Sequence, residues 1–261
     1  MKSETASPGC PFRASLMRAG SCLRTAGHEP RRAGPVLCPL LLLSGVQAQP
    51  PAEPAAAVGR TDLCVTEGSL AQDTDGSLSV DVPKMRAFVL RPVADAVAAR
   101  LTYRGPTDEQ SALGSGEVRR QFALKLRALD ACNLVYVTWR ITPASKLVVQ
   151  VKNNPGQHSS SECTNHGYQT LKPRLAAPLP PLLPGETHLL RAEIALGTLR
   201  AFVDGRPVWE GELGAFAAMS AAPVGVRSDN VRASFRLEAG PGVPIAAAQL
   251  PACRTGPESA E

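Results

Sequence analysis

The chain has 261 residues, 44% of them hydrophobic and 4% aromatic, with 28 lysines and arginines against 23 aspartates and glutamates for a net charge of +5. Residues 1–48 carry six of the basic and two of the acidic side chains, so the remainder stands at +1 and its charge gives no reason to expect a nucleic acid as partner. That remainder, roughly 210 residues, suits one domain, and no internal repeat divides it.

In chain order, the first element is a leader. Arg31 and Arg32 precede an apolar run over 36–46, which ends in Val46-Gln47-Ala48. A positive segment, an apolar core and small residues at the cut predict a secretory signal cleaved near Ala48. The run is about half the length that crosses a bilayer, so no membrane span is expected and the protein is expected to be secreted or periplasmic. The segment upstream is long for such a signal, which leaves Met17 or a later residue as an alternative translation start. Residues 49–60 read as a Pro/Ala-rich linker, 61–253 as the domain and 254–261 as a polar tail.

Within the domain, period-2 runs bounded by Gly, Pro, Asn and Asp predict strands at 78–82, 87–91, 99–103, 118–129, 134–141, 146–152, 187–195, 199–203, 207–210 and 231–237. A helical alternative exists only over 92–100. Asp204-Gly205 between two apolar runs is the strongest hairpin signal, a type I′ turn. Many strands, hairpin turns and few helices predict an all-β fold, an antiparallel two-sheet β-sandwich or jelly roll.

Seven cysteines are present, and Cys10, Cys22 and Cys38 belong to the leader. Cys64, Cys132, Cys163 and Cys253 form an even set in a chain bound for an oxidising compartment. Of the three possible connectivities, Cys132–Cys163 closes a local antiparallel unit and Cys64–Cys253 ties the domain ends, which commonly lie close together. Each pair would stabilise the fold by roughly 3–5 kcal/mol in the loop-entropy model. The cysteines lack the clustered C-x-x-C spacing of a zinc site.

The order THLLRAEIALGTLRAFVDGRPVWEGEL, APVGVRSDN, VRASFRLEA resembles the closing strands of concanavalin A-like or laminin-G-like sandwiches. The earlier RRQFALKLRALDACNLVYVTWRI is similar to their long central strands. The resemblance covers about 120 residues and implies the fold. Lectins, adhesion modules, glycoside hydrolases and polysaccharide lyases share that fold, so function has to come from the site.

Alternation separates the two faces of the central strands. Phe122, Leu124, Leu126, Val135, Val137, Trp139, Val149 and Val151 share the core side. The opposite face collects Lys125, Arg127, Tyr136, Arg140, Gln150 and Lys152, with Arg191 and Glu193 on a later strand. One reading makes this a solvated outer face whose long stems cover apolar sheet. The other makes it a binding face for an anionic or polar glycan, arginine offering a planar fork to carboxylate or sulfate. The long loop 153–186, pinned by the expected disulfide, adds His158, His166 and Tyr168 beyond that face. The expected ligand-binding set is therefore Lys125, Arg127, Tyr136, Arg140, Gln150, Lys152, His158 and Tyr168.

Enzyme signatures are sparse. The E-x-D-x-x-E pattern that places paired carboxylates on one strand in related glycosidases is absent, and no G-x-S-x-G occurs. Arg140, Gln150, His158 and Tyr136 or Tyr168 are the residue types of a polyuronate lyase, but Gln157-His158 lacks the Q-I-H pattern of such lyases. Asp73-Thr74-Asp75-Gly76 lacks the later ligands of a calcium loop, so Ca²⁺ is not assigned and no cofactor is expected. The expectation is a non-catalytic module that binds a polysaccharide or other surface ligand. A polyuronate lyase-like enzyme and a domain docking to another surface protein are the alternatives.

Overall fold

The computed structural model describes residues 55–91, 93–164, 167–241 and 253. The leader, the first half of the expected linker (49–54), His166 and the tail lie outside the described residues. Fourteen strands form one hydrogen-bonded, antiparallel sheet. They are β1 (Ala56–Val58), β2 (Leu63–Glu67), β3 (Ala71–Gln72), β4 (Leu78–Val89), β5 (Val93–Pro106), β6 (Gln121–Leu126), β7 (Asn133–Arg140), β8 (Lys146–Asn153), β9 (Tyr168–Thr170), β10 (Leu175–Ala176), β11 (Thr187–Ala195), β12 (Thr198–Val203), β13 (Arg206–Glu212) and β14 (Gly225–Pro241). A single α-helical turn, α1 (Ser160–Cys163), follows β8.

The sheet is a sandwich because it curls at β14. Residues 225–229 pair with β6, whereas 231–241 pair with β5, so the same edge of one strand feeds two leaves. Asn230 marks the divide, with φ of 54° opposite Pro83, which has no N–H to offer a ladder. One leaf runs β4-β14-β6-β7-β8-β9 and the other β14-β5-β11-β12-β13-β10. Their inner faces meet. Phe122 of β6 packs edge-on against Phe235 with ring centroids 5.2 Å apart. Trp139 of β7 reaches His188 of β11 at 5.5 Å, although three strands separate them in the sheet.

The apolar side of each central strand forms this core, with Phe122, Leu124, Val137, Trp139, Val149 and Leu190 fully buried. Trp139 is a packing residue, its indole N–H satisfied by the Ser145 hydroxyl at 2.9 Å. The Asp204-Gly205 turn has both residues at positive φ, as a type I′ hairpin requires. Both expected disulfides are present, Cys64–Cys253 and Cys132–Cys163.

Two expectations change. Of the 92–100 stretch, where a helix was the alternative, Val93 onward is the start of β5, because its alanines and valines lie on a strand paired on both sides. Ala56–Val58, expected in the linker, adds to β14 as β1 and buries Val58 in the core.

Candidate functional site

The outer side of the first leaf is not a plain solvated surface. It floors a cleft of about 460 Å³. Register arranges that floor in rows across the strands. In the first, Lys84 stands opposite Asp229, Asp229 opposite Gln121 and Gln121 opposite Arg140. In the next, Arg86 faces Arg227, and Ala123 and Thr138 follow. In the third, Gly225 precedes Lys125, Tyr136 and Gln150. Gly225 is needed there, since a Cβ would stand 2.2 Å from the Ala87 carbonyl oxygen. Lys152 and Tyr168 pair at the far side on β8 and β9.

Arg86 and Arg227 directly opposite each other would repel. Asp229, fully buried, resolves this. Its Oδ1 accepts from Arg86 Nη2 at 2.6 Å, and its Oδ2 from Arg227 Nε and Gln121 Nε2 at 2.8 Å each. Burial alone would raise the Asp229 pKa. The Arg227 and Arg86 charges and the hydrogen bonds outweigh burial and hold the carboxyl well below the usual range. Conversely, burial disfavours the Arg227 cation, but Asp229 more than compensates and raises its pKa. The Arg227 guanidinium also lies 5.1 Å from the Tyr136 ring centroid and donates to the Tyr168 hydroxyl at 3.1 Å. Lys152 Nζ sits 4.9 Å from the Tyr168 ring centroid. The floor is thus rigid and wired together.

Arg140 differs. It is half-buried, its Nε is buried without a hydrogen-bond partner, and among the described residues it forms no ion pair. Burial and then the Arg119 charge lower its pKa, with Glu117 acting against them and Arg227 with them. Six lysines and arginines line the cleft (Lys84, Arg86, Arg119, Arg140, Lys152 and Arg227), and among the described residues no aspartate or glutamate does. Two loops supply its walls. One contributes Leu113, Gly114 and Ser115, and Asn230 holds the segment by donating from Nδ2 to the Ser111 and Arg119 carbonyls at 2.9 Å each. The other is α1, contributing Ser160 and Thr164 and fastened to the start of β7 by Cys132–Cys163.

Of the expected site residues, Tyr136, Arg140, Gln150, Lys152 and Tyr168 line the cleft together. Lys125 shares their face and is buried, as Lys152 and Tyr136 are, but does not belong to the lining. Arg127 does not join them. At φ of 50° it turns out of β6, and its guanidinium binds Asp95 at 2.8 Å and the Ala217 and Met219 carbonyls at 3.0 Å each. Strand alternation stops one residue too early for it to face the cleft. His158 also stays outside, exposed, with Nδ1 2.8 Å from Asp130 Oδ2; that hydrogen bond and the carboxylate charge raise its pKa. Arg191 and Glu193 belong to β11 in the other leaf and pair with each other.

Lys84, Arg86, Arg227 and Asp229 were not expected at the site. Their signal lay in two alternating pairs, Lys84-x-Arg86 and Arg227-x-Asp229. Both fall where the predicted strands were drawn too short. The Asp73–Ser77 turn is closed by its own hydrogen bonds, Ser77 Oγ and N donating to Asp75 Oδ1 at 2.6 and 2.9 Å. Those bonds lower the Asp75 pKa to about 2. Among the described residues, no group of three or more His, Cys, Asp or Glu side chains converges as a metal site.

No family model and no curated protein matches the chain. Among solved structures, it is similar to the carbohydrate-binding module CBM66 from Bacillus subtilis, at 14% identity and a TM-score of 0.47 over 68% of this chain and 95% of that one. It is also similar to the Emp46p carbohydrate recognition domain in its metal-free form (9% identity, TM-score 0.43, 70% and 89% covered). A third similar structure is the alginate lyase AlyC3 (10% identity, TM-score 0.37, 66% and 76% covered).

Proposed function

We propose that the protein is an exported, disulfide-stapled β-sandwich that binds a carbohydrate bearing acidic groups in the cleft of the first leaf, without turning it over. The observation that carries this reading is the charge of the cleft. Six cationic side chains line it; Arg86 and Arg227 are paired with Asp229 and Arg119 with Glu117, while Lys84 and Arg140, whose buried Nε has no partner, form no ion pair among the described residues. Arginine presents a planar fork suited to carboxylate or sulfate. Gln150, Thr138 and the two tyrosines add groups that hydrogen-bond hydroxyls. Export is supported by the signal-like leader together with the two disulfides.

A second reading, elimination at a uronate, is favoured by Arg140, Gln150, Tyr136 and Tyr168 lining one cleft. Against it, the histidine expected for proton transfer, His158, faces Asp130 outside the lining. The same experiment tests both. The secreted, oxidised protein is run in affinity gels containing neutral or anionic polysaccharides, and matching mixtures are followed in the ultraviolet for unsaturated uronate products. The expected result is retardation by acidic polysaccharides without new absorbance. Arg140→Ala should weaken that retardation at least tenfold, in line with about 1.5–3 kcal/mol for a hydrogen bond to a charged group. Rising absorbance would make the protein a lyase. No retardation in any gel would leave a protein-docking role.

A further inference from the structure

The placement of the walls sets the direction in which the cleft can take a chain. The 113–115 wall stands where β6 begins and β7 ends, and α1 stands at the opposite end, where β7 begins and β8 ends. The cleft is therefore closed along the strands. Across them its lining continues from β4 through β14, β6 and β7 to β8 and β9. Four inter-strand steps of ~4.8 Å make the β4-to-β8 span about 19 Å.

Positive charge is spread over that span instead of being focused at one point. Lys84 and Arg86 stand on β4, Arg227 on β14, Arg140 on β7 and Lys152 on β8, Arg86 and Lys152 fully buried, with Gln121, Ala123 and the buried Lys125 between them on β6. Asp229 offsets charge on both β14 and β4, where it binds Arg227 and Arg86, so the charge left for a ligand stands on Lys84 at the β4 end and on Arg140 of β7, neither of which forms an ion pair among the described residues. A compact ligand with one anionic group can meet Lys84 or Arg140 but not both across three inter-strand steps of ~4.8 Å. The step between neighbouring strands is comparable to the length of one sugar residue in an extended glycan, so a chain crossing the strands presents successive residues to successive cations.

We infer that the cleft takes a linear acidic polysaccharide lying across β4 to β8, with acid groups of separate sugar residues engaging Lys84 at one end and Arg140 towards the other. This rests on the glycan-binding reading above and adds the ligand's length, direction and charge spacing. Arg140, crowded by the like charges of Arg119 and Arg227, gains a counterion in the complex. So does Lys84, which among the described residues forms no ion pair.

The test is calorimetric titration of the whole secreted protein with uronate di-, tetra- and hexasaccharides, their carboxyl-reduced counterparts of equal length, and sulfated oligosaccharides as a second acidic source. The expected result is that acidic hexamers, uronate or sulfated, bind about tenfold or more tightly than dimers and than the reduced hexamer, and that salt weakens them. Lys84→Gln, at the β4 end, should weaken the hexamer more than the dimer and so flatten the dependence on length, with unchanged circular dichroism confirming the fold. Equal binding of acidic and reduced hexamers, or of dimer and hexamer, would overturn the inference and leave glycan binding standing. Failure of every oligosaccharide, acidic or neutral, would overturn glycan binding itself.

Discussion

Asp229 shows how one carboxylate keeps a crowd of cations in a folded protein. With no exposed surface, it joins Arg86 on β4 to Arg227 on its own strand. Replacing it by asparagine keeps the shape but removes the carboxylate that two buried guanidinium groups share, leaving Arg86 only Glu67 at 3.7 Å, which should cost about 3–5 kcal/mol at neutral pH. The pH dependence has a definite sign. The folded-state pKa is depressed, so the stabilisation is complete above the unfolded carboxyl's value near pH 4 and is lost as pH falls towards the lower folded value. Denaturant midpoints of the native protein and Asp229→Asn should therefore be furthest apart at pH 7 and closer by about 1 kcal/mol at pH 3. A gap that stays constant over that range would mean the carboxylate's charge is not what holds the cluster.

At the scale of elements, β7 was fully legible because its alternation is unbroken. Val135, Val137 and Trp139 face the core while Tyr136, Thr138 and Arg140 face the cleft. Legibility failed where a strand carries its own irregularity. β4 and β14 each cross from one leaf to the other, and Pro83 and Asn230 interrupt the pattern at the crossing. The charged pairs beside them therefore fall outside the predicted strands. Arg127 failed for the opposite reason: alternation was carried one residue past the point where the backbone turns left-handed. The wall of the cleft depends on an element too short to be stable alone, the four-residue α1. Its position comes from Cys132–Cys163 and from Asp130, which accepts from the Cys132 backbone N–H at 2.8 Å and from Asn133 Nδ2 at 2.9 Å. Replacing both cysteines by alanine should lower stability by about 4 kcal/mol in the loop-entropy model for a separation of 31. It should also weaken ligand binding several-fold, because Ser160, Thr164 and Tyr168 lose their anchor. Unchanged affinity in the folded variant would place the ligand away from that wall.

For the whole molecule, the two disulfides separate stability from binding. Cys64–Cys253 spans 189 residues and closes nearly the entire described chain on itself, which in the loop-entropy model is worth about 5 kcal/mol, more than the shorter link. Cys64 lies on β2, on the far side of β4 from the cleft, and neither of these cysteines lines it. The cleft's floor is held by ladders among β4, β14, β6, β7 and β8 and by the Asp229 cluster, none of which involves the terminal staple. Replacing Cys64 and Cys253 by alanine should therefore shift the denaturant midpoint further than removing Cys132–Cys163 does, yet leave the affinity for an acidic hexasaccharide, measured well below the unfolding transition, within twofold of the native value. If affinity falls together with stability in both variants, the cleft depends on closure of the whole sandwich and not on its local wall. The contrast between the two pairs thus tests whether the curl at β14 alone is enough to hold the six cations in register.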